Sequence, residues 1–338
     1  MIDDPIHLLF SPQSCSLGLL DSTLTADRRA IAEAILKRIL AAASRRSSSH
    51  TLIVGPRGSG KTHILAYIRK TIQHPPVAES DIVLMPFPEE ERSITSLFDF
   101  ILEALRSTKK PPTLLRLEPR FLQRDAAAPD AVRRFEEVIG QRSALIILEN
   151  LSKIFSLMGD QEIRRLRAFL QSHPGVTLLA SSTELFFQSS RPDHPFYGFF
   201  SVQPLNPLDR KESRSYLTQL AESRGDTKLA GILRTSRGQR RVNAIFDLTG
   251  GNHRLLAMLS TFLTADGLSE LVGPFVQMTD RQLTPYYQQR LDRLSPQQNK
   301  ILLAVTYHRG RALTVSEISD YTFLTPQVIS RQLVDLLG

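Results

Sequence analysis

The sequence predicts an α/β protein: a parallel sheet with helices on both faces, then a helical lid subdomain, then a C-terminal helix-turn-helix. Three observations carry this. Short apolar runs alternate with amphipathic stretches, the pattern of strands covered on both faces by helices. After Pro207 the strand signal stops and helical periodicity takes over. A glycine-rich segment sits between the first strand and the next helix, where a phosphate-binding loop belongs.

Along the chain, Thr25–Leu40 carries Ile31, Ile35, Ile39 and Leu40 at helical spacing, and Ser44–Ser49 is a polar loop. Thr51–Val54 (TLIV) is a short buried strand and Lys61–Gln73 a helix. Asp81–Pro86 (DIVLMP) is the second strand and Ser93–Ser107 the second helix of the alternation. Lys109–Asp130 contains four prolines and reads as an insertion or long loop. Val132–Ile139 is helical, Ala144–Leu148 (ALIIL) is the third strand, Ile163–His173 a helix and Val176–Ala180 the fourth strand. Arg210–Ser223 and Arg240–Leu263 are helical. The expected units are an α/β core over 1–205, a helical lid over 206–283 and a helix-turn-helix over 284–338.

Composition narrows the function classes. With 338 residues and 41% apolar side chains the chain can bury two or three cores. One cysteine, Cys15, excludes an intramolecular disulfide and fits a reducing, cytoplasmic setting. The start, MIDDPIHLLF, lacks a signal-peptide pattern, and no apolar run is long enough to cross a bilayer, so no membrane partner is expected. A net charge of +8 favours a polyanionic partner such as DNA, although solubility alone also accounts for it.

Gly55–Thr62 reads GPRGSGKT and matches G-x-x-x-x-G-K-[ST] at every required position. Gly55, Gly58 and Gly60 let the backbone of the loop, which also carries Pro56, Arg57 and Ser59, curl so that its N–H groups face phosphate oxygens. The helix that follows presents its positive end. Lys61 supplies a mobile charge for the terminal phosphates, Thr62 a hydroxyl for the accompanying Mg2+, and His63 completes the loop segment. The expected ligand is ATP or a close relative. The ALIIL strand ends in Glu149 and Asn150, where P-loop ATPases usually place Asp then Glu. Glu149 is the candidate Mg2+ carboxylate. Asn150 can position a water but cannot take its proton, so hydrolysis is expected to be slow, or else the base comes from elsewhere. Glu89, Glu90 and Glu91 after the second strand are one such source, and a solvated helix start is their bland alternative.

The GPRGSGKTH loop and LIILEN strand resemble an ASCE-type P-loop ATPase. VTLLASS ends in hydroxyls where AAA+ proteins carry sensor 1, HPFYGFF follows as in some prokaryotic AAA/STAND-like ATPases, and LTGGNHR is similar to the sensor 2 segment LTGGNPR of those proteins and of the origin-recognition clade. The resemblance runs from about Leu24 onward. It implies Ser181 as sensor 1, with Ser182 as second choice, and Arg254 as sensor 2 reaching the γ-phosphate from the lid. The chain departs from the pattern at Glu149, Asn150 and His253, the last replacing a proline. Arg191 is a weak candidate for an arginine finger. Arg234, Arg237, Arg240 and Arg241 form a basic cluster open to DNA, to a neighbour's nucleotide or to solvent alone.

In the last unit, Leu294–His308 is a first helix, Thr314 and Glu317 form a capping box for a second, and Thr325 with Pro326 starts a third. Val328, Ile329, Leu333 and Leu336 should face inward, and Gln327, Ser330 and Arg331 outward toward DNA. The unit resembles a MarR-like winged helix whose wing would begin where the sequence stops, at Gly338. Two functions are expected: a DNA-associated, nucleotide-dependent switch, or a nucleotide-gated scaffold whose helix-turn-helix docks protein. A homo-oligomer or partner proteins accompany either one.

Overall fold

The computed structural model describes residues 11–75, 77, 81–88, 94–108, 124–185, 194–269, 272–278, 294–308 and 312–337. The candidate bases Glu89, Glu90 and Glu91 and the finger candidate Arg191 lie outside the described residues. The chain separates into two compact units, Met1–Ser269 and Glu270–Gly338.

The first unit begins with a 3-10 turn, Pro12–Ser14, and two helices, α1 (Leu17–Ser22) and α2 (Ala26–Ser44). Next come β1 (Thr51–Val54), α3 (Lys61–Gln73), β2 (Ile82–Pro86), α4 (Leu97–Arg106), α5 (Arg124–Ile139) and β3 (Ser143–Leu148). Then follow α6 (Leu151–Leu157), α7 (Asp160–Ser172), β4 (Val176–Ser182) and β5 (Ser201–Pro204). The five strands form one sheet in the order β2-β3-β4-β1-β5, and every pair is parallel. All six residues of β3 and all seven of β4 are buried, which is why both read as unbroken apolar or small-residue runs. One face packs through Phe100, Phe135, Ile154 and Phe169 onto helices α4, α5, α6 and α7. Burying side chains of that size contributes roughly 1.5–3 kcal/mol each.

Three differences from the sequence pattern have physical causes. The fifth strand is an edge strand, SVQP, largely exposed and ending in proline, so it carries no apolar signal. Helix α5 starts at Arg124, inside the stretch expected to be a loop, with Pro129 within it; Ala126–Ala128 supply the helix propensity that the proline opposes. The segment expected as one helix from Arg240 to Leu263 is two, broken at Gly250 and Gly251, both at positive φ.

Four helices form the helical subdomain: α8 (Arg210–Ser223), α9 (Thr227–Arg234), α10 (Ser236–Thr249) and α11 (His253–Ser260). Each start is capped by a side chain: Asp209 with Glu212 as a capping box, then Asp226, Thr235 and Asn252.

In the second unit, α12 (Val272–Met278) precedes three helices, α13 (Pro296–Tyr307), α14 (Val315–Thr322) and α15 (Pro326–Leu337). They pack around Ile301, Ile318 and Ile329, with Leu333 and Leu336 against them. The capping box expected at Thr314 is present: Glu317 N donates to Thr314 Oγ1 at 3.2 Å and Thr314 N to Glu317 Oε2 at 2.8 Å.

Candidate nucleotide site

The glycine-rich loop leaves β1 between two strands. Gly55 N donates to Ser182 O at the end of β4 (3.2 Å), and Leu205 N, just past β5, donates to Val54 O (2.7 Å). A Cβ at Gly55 would overlap the Leu205 carbonyl oxygen, so the close approach requires glycine. Gly60, at φ +94°, turns the chain into α3, which begins at Lys61. Lys61 Nζ donates to the carbonyls of Gly55 (2.6 Å) and Pro56 (2.9 Å), so the ammonium lies inside the curve of its own loop. Burial pushes its pKa down to about 8; Glu149 opposes that shift, while Arg254 and Arg57 add to it.

Thr62, the next residue, donates its hydroxyl to Glu149 Oε2. The other carboxylate oxygen, Oε1, accepts from Gln13 Nε2 at 3.1 Å. A hydroxyl and a carboxylate brought together at the end of β3 are the hard oxygen donors that Mg2+ takes, so these residues fit the ion. Asn150 follows at φ +55° and is exposed at the start of α6. Left-handed backbone favours asparagine over glutamate, which gives the missing acid a local structural reason. At the end of β4, Ser182 Oγ donates to Glu184 O (2.7 Å) within a turn, whereas Ser181 Oγ is buried with no hydrogen-bond partner.

The helical subdomain meets the loop along a short seam of hydrogen bonds to the loop's carbonyls. Asn252 Nδ2 donates to Arg57 O (3.0 Å), and Arg254 N donates to Gly58 O (3.1 Å). Asn252 Oδ1 also caps α11, accepting from Arg254 N and Leu255 N at 3.1 and 3.2 Å. His253 takes the first helical position without disturbing that start. Its ring stacks on Tyr216 at 4.0 Å and meets His63 edge-on at 5.5 Å. Burial holds both imidazoles neutral, His63 near a pKa of about 4 and His253 well below its usual range. His63 Nε2 lies 3.0 Å from the Leu20 carbonyl, tying α3 to α1. The cleft bounded by Lys61, His63, Tyr216 and His253 holds about 60 Å3, below the roughly 300–1,000 Å3 of a small-molecule pocket.

Residues 44–188 match the family model described as an AAA domain. No curated protein matches the chain. Two of the solved structures that share its fold come from Aeropyrum pernix. One is the Aeropyrum pernix ORC1 protein in complex with DNA, 14% identical, covering 98% of this chain and 86% of that one, with a TM-score of 0.56. The other is the Aeropyrum pernix ORC2 protein in ADPNP-ADP complexes, 14% identical, covering 93% and 86%, with a TM-score of 0.55.

The remaining candidates fall outside residues 44–188. Arg234 is ion-paired to Glu222, and Arg237 and Arg240 are exposed. On α15, Gln327, Ser330 and Arg331 are exposed, while Ile329 is fully buried. Among the described residues none of the chain's helices is long and apolar enough to cross a membrane. Two contributors carry no signal in the sequence pattern: Gln13, 136 residues from its partner Glu149, and Asn252, which contacts the loop as well as capping a helix.

Proposed function

We propose that this protein is an ATP-dependent switch with slow hydrolysis that acts in association with DNA. The observation that carries the nucleotide half is the loop itself: three glycines, an inward-turned Lys61 and the Thr62–Glu149 pair, closed over by the start of α11. In this reading, backbone N–H groups of residues 55–62 hold the phosphates and Lys61 turns from its carbonyls to the terminal phosphates. Thr62 and Glu149 would hold Mg2+, which supplies charge compensation to the phosphates. Arg254 lines the same cleft as Lys61 and Thr62, and in this reading it would meet the γ-phosphate from the helical subdomain. Ser181, buried and unpartnered, offers a hydroxyl to the reacting phosphate or its water.

Turnover is expected to be slow, because Asn150 cannot accept a proton. Asn150→Glu should raise the rate of phosphate release, at a cost of about 1–2 kcal/mol in stability for the left-handed backbone. A fast wild-type rate that Glu90→Gln removes would place the base after β2 instead.

Support for DNA comes from the exposed polar face of α15 and the net basic charge. Filter binding across a salt series tests it. Loss of Arg331 and Gln327 together should weaken binding, and an Arg331–phosphate contact should show as a salt slope lower by about one unit. Two observations favour the second reading, a protein-docking module. Glu270–Gly338 carries seven Lys/Arg against six Asp/Glu, and Phe323 in the turn before α15 is 93% exposed. DNA affinity unchanged in the double variant, with the basic Arg237–Arg241 cluster also neutral to mutation, would move that reading to first place.

A further inference from the structure

We propose that Gln13 is a positioning residue for the metal-binding carboxylate: its side-chain amide holds Glu149 facing Thr62, and thereby links the N-terminal segment to the Mg2+ half of the site. This rests on the reading of Thr62 and Glu149 as the Mg2+ pair. Glu149 ends β3 on an arm one methylene longer than aspartate, so it has more rotamers to lose before it can ligate. The structure restrains it from both sides, with the Thr62 hydroxyl on Oε2 and the Gln13 amide on Oε1 at 3.1 Å.

An alternative position for the carboxylate lies next to it. Gln13, Arg69, Phe87 and Glu149 line a cavity of about 290 Å3, which includes neither Lys61 nor Thr62. Arg69 presents a guanidinium whose Nε is buried and has no hydrogen-bond partner. Without the Gln13 amide, Glu149 loses the restraint on Oε1 that holds it away from that cavity and its opposite charge. Gln13 itself is firmly seated. Its 3-10 turn is followed by Cys15, Leu19 and Leu20, exposed by only 1%, 8% and 0%. Leu20 O meets His63 of α3, and Leu24 O accepts from Gln219 Nε2 of α8 at 3.0 Å. The segment that carries Gln13 therefore touches both the loop's helix and the helical subdomain, so a shift of either can reach Glu149.

The test uses the full chain and ATP titrated by calorimetry in excess Mg2+ and in EDTA. The ratio of the two affinities is the contribution of Mg2+. Gln13→Met keeps the length and packing of the side chain and removes its amide. It should lower that ratio by about tenfold, the range seen when a hydrogen bond to a ligating carboxylate is removed, and leave the EDTA affinity unchanged. Nucleotide-free melting confirms that the variant is folded, and the buried anchors Cys15, Leu19 and Leu20 are untouched by it. An unchanged ratio, or an equal loss in Mg2+ and EDTA, overturns the proposal. Thr62→Ala separates the two layers of inference. If Thr62→Ala lowers the ratio and Gln13→Met does not, only the role of Gln13 falls; if neither does, the Mg2+ pair falls with it.

Discussion

Lys61→Ala is expected to abolish ATP binding at micromolar nucleotide while leaving the fold intact. A lysine held between phosphates makes charge-assisted hydrogen bonds worth roughly 1.5–3 kcal/mol each. Losing two of them lowers affinity by about a hundredfold to ten-thousandfold. Stability should change little, because two effects oppose each other. The variant loses the bonds from Nζ to the Gly55 and Pro56 carbonyls. It also removes an ammonium that burial disfavours, as its lowered pKa of about 8 records. A calorimetric titration and a thermal melt check both halves. Near-native ATP affinity in the variant would mean that this loop does not cradle phosphate.

The parts of this site that are legible in the sequence are those built by neighbours in the chain. GPRGSGKT is contiguous, and its strand and helix flank it directly, so local spacing suffices. Strands β3 and β4 are legible because both faces are covered, leaving nothing polar to blur the run. What is hidden depends on long-range contact or on an exposed edge. Strand β5 has the composition of a loop, because its exposed residues owe their extended shape to pairing with β1. The Gln13 contact has no periodicity to announce it. Asn150 is a third kind of case: it reads as a lost catalytic acid, and its left-handed φ shows that the local backbone also selects asparagine. Likewise the GlyGly of LTGGNHR sits in what reads as continuous helical periodicity, because α10 and α11 each carry apolar residues at helical spacing right up to the break.

That break is the basis of the second large effect. Gly250→Ala and Gly251→Ala make the same chemical change at adjacent residues, both at positive φ, +60° and +69°. Either alanine bears the left-handed penalty of about 1–2 kcal/mol. The surroundings then separate them. Around Gly250 a Cβ meets nothing within 4 Å. At Gly251 it would overlap the Leu208 carbonyl oxygen and press on the Phe246 ring at 3.0 Å. Leu208 cannot step aside cheaply, because its N–H donates to Gly251 O at 2.9 Å, fixing the two backbones against each other. Relieving the overlap adds roughly 1–3 kcal/mol, so Gly251→Ala should cost about 2–5 kcal/mol in all. The consequence reaches the nucleotide site through the next three residues. Displacing Gly251 pulls Asn252 from Arg57 O and Arg254 N from Gly58 O, the two bonds that seat α11 on the loop. Urea unfolding should therefore place Gly251→Ala well below Gly250→Ala, and ATP affinity should fall in the first and hold in the second. Equal midpoints for the two variants would show that the Leu208–Gly251 contact does not set the position of α11. A large stability loss with unchanged ATP affinity would show that the seam between α11 and the loop is not needed for binding.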